Sequence, residues 1–330
     1  MRDLVRAVVV AVPLGLGASL VLADSPEPLF RFADRQIVES SGLALRDGLV
    51  LTVNDSGDTA RVFAVDPEDG RTVGVTRWAG EPVDVEALAP AGPGEVWVGD
   101  IGDNDRDRSS IRVLRVPVGP GERTAAGAGL DLVYPDGPND AEALLCHPRT
   151  GRLLVVTKDV FGGQVYAVRP RPDEERQRLL RIGEAMPLVT DGAFFPDGRH
   201  LVLRDYSKAV VLSYPELEVV GEVTLPPARQ GEGVAVTPEG TLLVSSEGVR
   251  SAVHEVALPA EVQRALAGEP AASPTASGSP TPTAAPAPTT SGDAAPGAGA
   301  ATGRDPWPWV VGGIVGLAMV VVLVRSLRPR

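Results

Sequence analysis

Very little in this sequence can form a covalent crosslink or a familiar catalytic group. Cysteine occurs once, as Cys146, so an internal disulfide is excluded and a core must hold the fold. Cys146 ends the apolar run Ala143-Leu144-Leu145 and reads as a small core residue rather than a nucleophile. Neither Cys-x-x-Cys nor His-x-x-x-His is present, and His147, His200 and His254 have no partner nearby in sequence, which argues against zinc. Gly-x-Ser-x-Gly is absent too, which removes one common nucleophile motif. Lysine is almost missing, with only Lys158 and Lys208. The net charge is −12 although both ends are positive, so the part between is more acidic still. Such a surface repels phosphate backbones and excludes nucleic acid as a partner. Cations, or partners with basic patches, suit it better.

What is present at the two ends speaks of membranes. Arg2 and Arg6 precede an apolar stretch from Ala7 to Leu22, and Val21-Leu22-Ala23 fits a cleavage site, the pattern of a secretory signal peptide. Near the other end, Trp307 to Val324 carries no charge. At about 1.5 Å per residue it measures roughly 27 Å, enough for a bilayer core. Trp307 and Trp309 stand at its outer edge, and Arg325, Arg328 and Arg330 follow it. Positive residues stay on the cytoplasmic side, so everything before the helix is expected outside. Ahead of the helix, Pro, Ala, Ser, Thr and Gly dominate a segment that cannot bury enough apolar surface to order itself. The expected organisation is a signal peptide (1–23), an ectodomain (24–265), a stalk (266–306), a transmembrane helix (307–324) and a cytoplasmic tail (325–330). The expected location is the plasma membrane, single-pass, with the ectodomain facing an extracellular ligand or protein.

The ectodomain contains a repeat. An acidic or small residue followed by an apolar run recurs as Ser41-Gly42-Leu43-Ala44, Glu86-Ala87-Leu88-Ala89, Glu142-Ala143-Leu144-Leu145, Asp191-Gly192-Ala193-Phe194 and Glu232-Gly233-Val234-Ala235, at intervals of 45, 56, 49 and 41 residues. Turn signals such as Pro196-Asp197-Gly198 follow, then a second apolar run ending in Asp55, Asp100, Asp159, Asp205 or Glu247. A third segment, as in Arg61-Val62-Phe63-Ala64-Val65, alternates with period two. No amphipathic helix separates the units. Strand-only repeats of this length close radially, which predicts an all-β, single β-propeller. Five repeats are counted. A sixth blade is possible if Leu29-Phe30-Arg31-Phe32 combines with Val253 to Leu258; alternatively, the N-terminal strand completes the last blade.

The first and second strands of a unit are antiparallel, so both acidic columns fall on one face of the ring. Glu86, Glu142, Asp191 and Glu232 are expected around the channel mouth, with Asp55, Asp100, Asp159, Asp205 and Glu247 just outside. Three things could compensate that charge. Each acid could accept backbone N–H groups and lock neighbouring blades. A hard cation such as Ca²⁺ could take the oxygens, with Asn54 and Asn104 as further donors. Lys158 and Arg204 could pair internally, quietening two blades and leaving units one, two and five open. Asp103, Asp105 and Asp107 alternate as in a calcium loop, but Arg108 stands where an EF-hand needs glycine, so the stretch reads as a solvated polar loop.

Glu39-Ser40-Ser41-Gly42-Leu43-Ala44, Asn54-Asp55-Ser56-Gly57-Asp58, Gly99-Asp100-Ile101-Gly102-Asp103-Asn104, Tyr134-Pro135-Asp136-Gly137, Asp140-Ala141-Glu142-Ala143-Leu144 and Gln230-Gly231-Glu232-Gly233 carry a resemblance. Over roughly residues 35–258 the domain resembles uncharacterised exported bacterial β-propellers, distantly similar to the gluconolactonase/regucalcin-like and phytase-esterase-like propellers. That resemblance implies a metal held by Glu, Asn and Asp at the channel mouth. Two functions stand side by side. One is a surface-displayed binding or interaction module with a cation at the mouth. The other is a Ca²⁺-dependent extracellular hydrolase, of lactonase or phosphoesterase type, in which Glu86, Glu142 and Glu232 hold the ion with Asn54 or Asn104.

Overall fold

The computed structural model describes residues 27–268, apart from 56, 128 and 170–175. The chain divides into two units, Met1–Ser273 and Pro274–Arg330, and every described residue belongs to the first. The predicted signal peptide, transmembrane helix and basic tail, and the predicted stalk beyond 268, lie outside the described residues. Among the described residues no helix is long and apolar enough to cross a membrane.

The described part is built from strands. A short β1 (Phe30–Arg31) leads into β2 (Ser40–Arg46), β3 (Leu49–Asn54), β4 (Arg61–Val65) and β5 (Thr72–Trp78), which form the first blade. The second has β6 (Val85–Pro90), β7 (Glu95–Asp100) and β8 (Ile111–Pro117), followed by β9 (Gly121–Ala125) and β10 (Gly129–Val133). The third is β11 (Ala141–Cys146), β12 (Leu153–Thr157), β13 (Gln164–Val168) and β14 (Arg176–Glu184). The fourth is β15 (Asp191–Phe194), β16 (His200–Arg204), β17 (Lys208–Ser213) and β18 (Val219–Thr224). The fifth is β19 (Gly231–Val236), β20 (Leu242–Ser246) and β21 (Ala252–Val256), with a short helix α1 (Ala260–Leu266) behind it.

Ring closure follows from the core. Successive residues of a strand face opposite sides, and here both sides are apolar because each blade is covered by two neighbours. Leu51 and Val53 pack with Val96 and Val98 of the second blade, while Val50 packs with Leu243 and Val253 of the fifth. Five apolar clusters fill the interfaces between blades one and two, two and three, three and four, four and five, and five and one. Five blades have five interfaces only in a closed ring. The inner strands β2, β6, β11, β15 and β19 touch in that order, and β19 returns to β2. They approach closely: a Cβ on Gly42 of β2 would lie 2.5 Å from the Leu88 backbone nitrogen of β6.

The Leu29–Phe32 segment does not found a sixth blade. Strand β1 pairs antiparallel with β21, Phe30 opposite Val253, as the outermost strand of the fifth sheet. Phe30 and Phe32 are buried in the cluster between blades five and one, so the N-terminus zips the ring shut. Two outer strands escape sequence reading. Strand β9 leaves the second blade to run parallel to β5, and β10 runs parallel to β14, which ties blades one, two and three along their outer edges.

Candidate functional site

The repeat places its acids at one end of the inner strands. In four of the five blades the ladder between inner strand and partner skips at the acidic position or its equivalent, around Glu86, Glu142, Gly233 and Ser41. A bulge re-aims a side chain out of the regular pleat, and here it does so at the channel mouth. The second column lies beside the first as expected, with Val85 opposite Asp100 and Asp191 opposite Arg204.

The predicted site residues then separate into two groups. Several bind backbone. Asp191 is fully buried; its Oδ2 accepts the N–H groups of Val234 (2.7 Å) and of Leu43 (3.3 Å), and its Oδ1 accepts that of Gly192 (2.7 Å). Asp100 accepts the Val83 and Asp84 N–H groups at 3.1 and 3.0 Å and is bound by Arg108 at 3.0 Å. Asn54 accepts from Val38 and Glu39, and its amide donates to the Gln36 carbonyl and to Asp58. Asp159 and Asp205 each accept an N–H two residues ahead, and Asp159 also meets Arg106 at 2.7 Å. Asp103 is buried rather than solvated, accepting the N–H groups of Asp107 and Arg108.

The other group gathers at the mouth. Asp55, Asp84 and Glu86 each bring a carboxylate oxygen within 4.8 Å of the others. Asn104 turns its amide toward Asp84 (3.5 Å). The Gly102 backbone lies against the pair: a Cβ there would come within 2.4 Å of Asp84 Oδ2 and 2.9 Å of Glu86 Oε1. Ser41, which replaces the acid in the first repeat, donates to Glu86 Oε2 at 3.0 Å. Asp84 Oδ1 is buried and has no hydrogen-bond partner among the described residues. Burial, with the charges of Asp55 and Asp140, raises the Asp84 pKa to about 6. Burial, then Glu142, Asp55 and Asp84, drives Glu86 well above the usual range. Oxygens bound to one Ca²⁺ at 2.3–2.6 Å stand at most about 5 Å apart, and this trio meets that limit. A hard, all-oxygen donor set with an unsatisfied buried carboxylate oxygen fits such an ion.

Asp84 is the residue that sequence reasoning missed. Its signal is the acid two positions before the repeat acid, in Asp84-Val85-Glu86 and Asp140-Ala141-Glu142. The two equivalents differ in use: Asp140 accepts the Asp103 N–H at 2.8 Å.

Across the mouth, Glu142 is held by Lys158 (Oε1 to Nζ, 2.8 Å). Burial works against the Lys158 ammonium, but the Glu142 carboxylate outweighs it and the lysine pKa rises. Arg204 is buried and donates to the carbonyls of Gly233 (2.9 Å), Ser245 (3.1 Å) and Asp205 (3.0 Å) rather than to a carboxylate. Glu232 has a buried Oε2 without a hydrogen-bond partner among the described residues, and burial raises its pKa to about 7. Glu247 accepts from Gln230 at 2.7 Å. Exposed apolar side chains border this acidic floor. Val38, Val83, Val160, Phe161 and Val249 are five of the seven large ones exposed among the described residues, and Phe161 is 95% accessible.

No protein-family model matches the chain, and no curated protein matches it. Solved structures do. They include a gluconolactonase from Xanthomonas campestris (12% identity, 70% of this chain and 88% of that chain, TM-score 0.43). A glucose dehydrogenase matches at 11% identity, over 71% of this chain and 99% of that chain, with a TM-score of 0.42. The Dos1 propeller matches at 8% identity, over 67% and 60%, with a TM-score of 0.34. The chain is thus distantly similar to gluconolactonase-like and other propellers. Likeness at this level shows neither a shared activity nor a shared site.

Proposed function

We propose that this protein is a single-pass plasma-membrane protein displaying an extracellular β-propeller. The propeller is a binding module whose acidic mouth takes a divalent cation, Ca²⁺ first, and meets an extracellular ligand or protein there. The observation that carries this reading is the trio Asp55, Asp84 and Glu86, whose oxygens lie within 4.8 Å of one another. Val38, Val83, Val160, Phe161 and Val249, exposed on loops that flank the acids, offer apolar surface for a partner to cover. The charge-free stretch Trp307 to Val324 and the arginines after it favour display on a membrane. A bound cation supplies a positive centre to which an oxygen of the ligand can turn.

One observation favours a second reading, a Ca²⁺-dependent hydrolase of lactones or phosphoesters. Glu232 stands at the same mouth, and burial raises its pKa to about 7, the range in which a carboxylate serves as a general base near neutral pH. The full-length chain in detergent, assayed on lactones and phosphoesters with Ca²⁺ or with chelator, separates the two. The binding reading expects Ca²⁺ to raise the melting temperature without turnover. The hydrolase reading expects Ca²⁺-dependent turnover that Glu232→Gln removes. Neither stabilisation nor turnover contradicts both.

A further inference from the structure

The acidic mouth is only one end of the channel. Four residues along each inner strand, about 13 Å at 3.3 Å per residue, the ring opens again. There a cavity of about 590 Å³ is lined by Leu88, Trp97 and Phe194 with Arg46, Arg115 and Cys146. That volume falls within the range of small-molecule sites, which are mostly apolar with a few placed polar groups. Its charge is opposite in sign to the other mouth. Arg46 lines the cavity and is anchored through Nη2, which donates to the Ala91 carbonyl. Arg115 pairs with Glu95. Cys146 lines the same cavity as the two guanidinium groups; burial raises its thiol pKa and the two arginines pull it back.

We propose that this opposite mouth is a second ligand site, for a small organic anion with a flat apolar body. The anionic group accepts from Arg46, and the body lies between the apolar ends of the inner strands. The site is independent of the cation site and of the function proposed for it.

Cys146 is the only cysteine and is partly accessible, which makes it the reporter. The full-length chain is treated with 5,5′-dithiobis(2-nitrobenzoate), an aromatic dianion, and with neutral 4,4′-dithiodipyridine. The ratio of the two rates cancels any change in the thiol's own acidity. Relative to free cysteine, the ratio is expected to favour the anionic reagent by about tenfold, to saturate with its concentration, and to fall when 2-naphthoate is added but not inorganic phosphate. Arg46→Gln is expected to return the ratio to that of free cysteine. A ratio equal to that of free cysteine in the native chain, or one indifferent to 2-naphthoate, overturns the proposal without recourse to any variant. So does a folded Arg46→Gln protein that keeps the native ratio.

Discussion

Asp191, on the inner strand of the fourth blade, accepts the N–H of Leu43 on the inner strand of the first at 3.3 Å, while the same oxygen holds Val234 of the fifth at 2.7 Å. One carboxylate thereby joins three inner strands. Removing it orphans buried backbone donors and takes away one of the three carboxylates, with Glu232 and Asp205, whose charge faces the buried Arg204. Asp191→Ala is expected to cost about 3 kcal/mol or more. Asp191→Asn, which keeps an acceptor, costs less. Urea unfolding followed by tryptophan fluorescence measures both, and equal stability of Asp191→Ala and the native chain refutes the role.

The N-terminal zip predicts a second loss. Phe32 is fully buried between blades five and one. Phe32→Ala is expected to destabilise by about 3–5 kcal/mol. Because the closing strand is lost with it, susceptibility to proteolysis near residues 250–258 should rise as well. Limited proteolysis with mass spectrometry checks the location.

The mouth acids make stability depend on pH in an unusual direction. Burial and neighbouring carboxylates raise Asp84 to about 6, and burial raises Glu232 to about 7. Their unfolded values are near 4. Between about pH 4 and 7 the folded chain therefore holds more protons than the unfolded one, and stability falls as pH rises through that window. Melting temperature without divalent cations is expected to be higher at pH 5 than at pH 8. Added Ca²⁺ should narrow the gap from the alkaline side. A gap of the opposite sign contradicts the clustering.

Much of this was legible in the sequence. Five repeats with short turns and no intervening helix specify the blades, and an acid at the start of four of the five inner strands, with Ser41 in the first, marks the mouth. Lys158 was recognisable as a counter-charge, and it does hold Glu142. Other features were not legible for physical reasons. An aspartate at a strand end looks the same whether it binds a cation or the N–H two residues ahead, as Asp159 and Asp205 do. Asp84 was hidden because the two acidic columns of the repeat mark the start of the inner strand and the end of its partner, whereas Asp84 stands just ahead of β6, two residues before the column acid Glu86. The outer strands Gly121–Ala125 and Gly129–Val133 are polar or glycine-led and acquire their strand character from parallel partners far along the chain.

Lys158 gives a fourth expectation. Its ammonium neutralises Glu142 and acts on Glu232 and Glu247. Lys158→Met leaves that side of the mouth uncompensated, so the apo chain should melt at lower temperature at pH 8. Ca²⁺ should bind about tenfold more tightly, the scale of one removed charge at intermediate dielectric. Paired melts with and without Ca²⁺ read both effects.

Calorimetric titration of the full-length chain with Ca²⁺ at pH 7.5, beside the Asp84→Asn variant, bears most directly on the acidic mouth. A saturable Ca²⁺ site is expected in the native chain and its loss in the variant. Absence of binding in the native chain, or equal binding in a folded Asp84→Asn protein, would contradict a cation held by Asp55, Asp84 and Glu86.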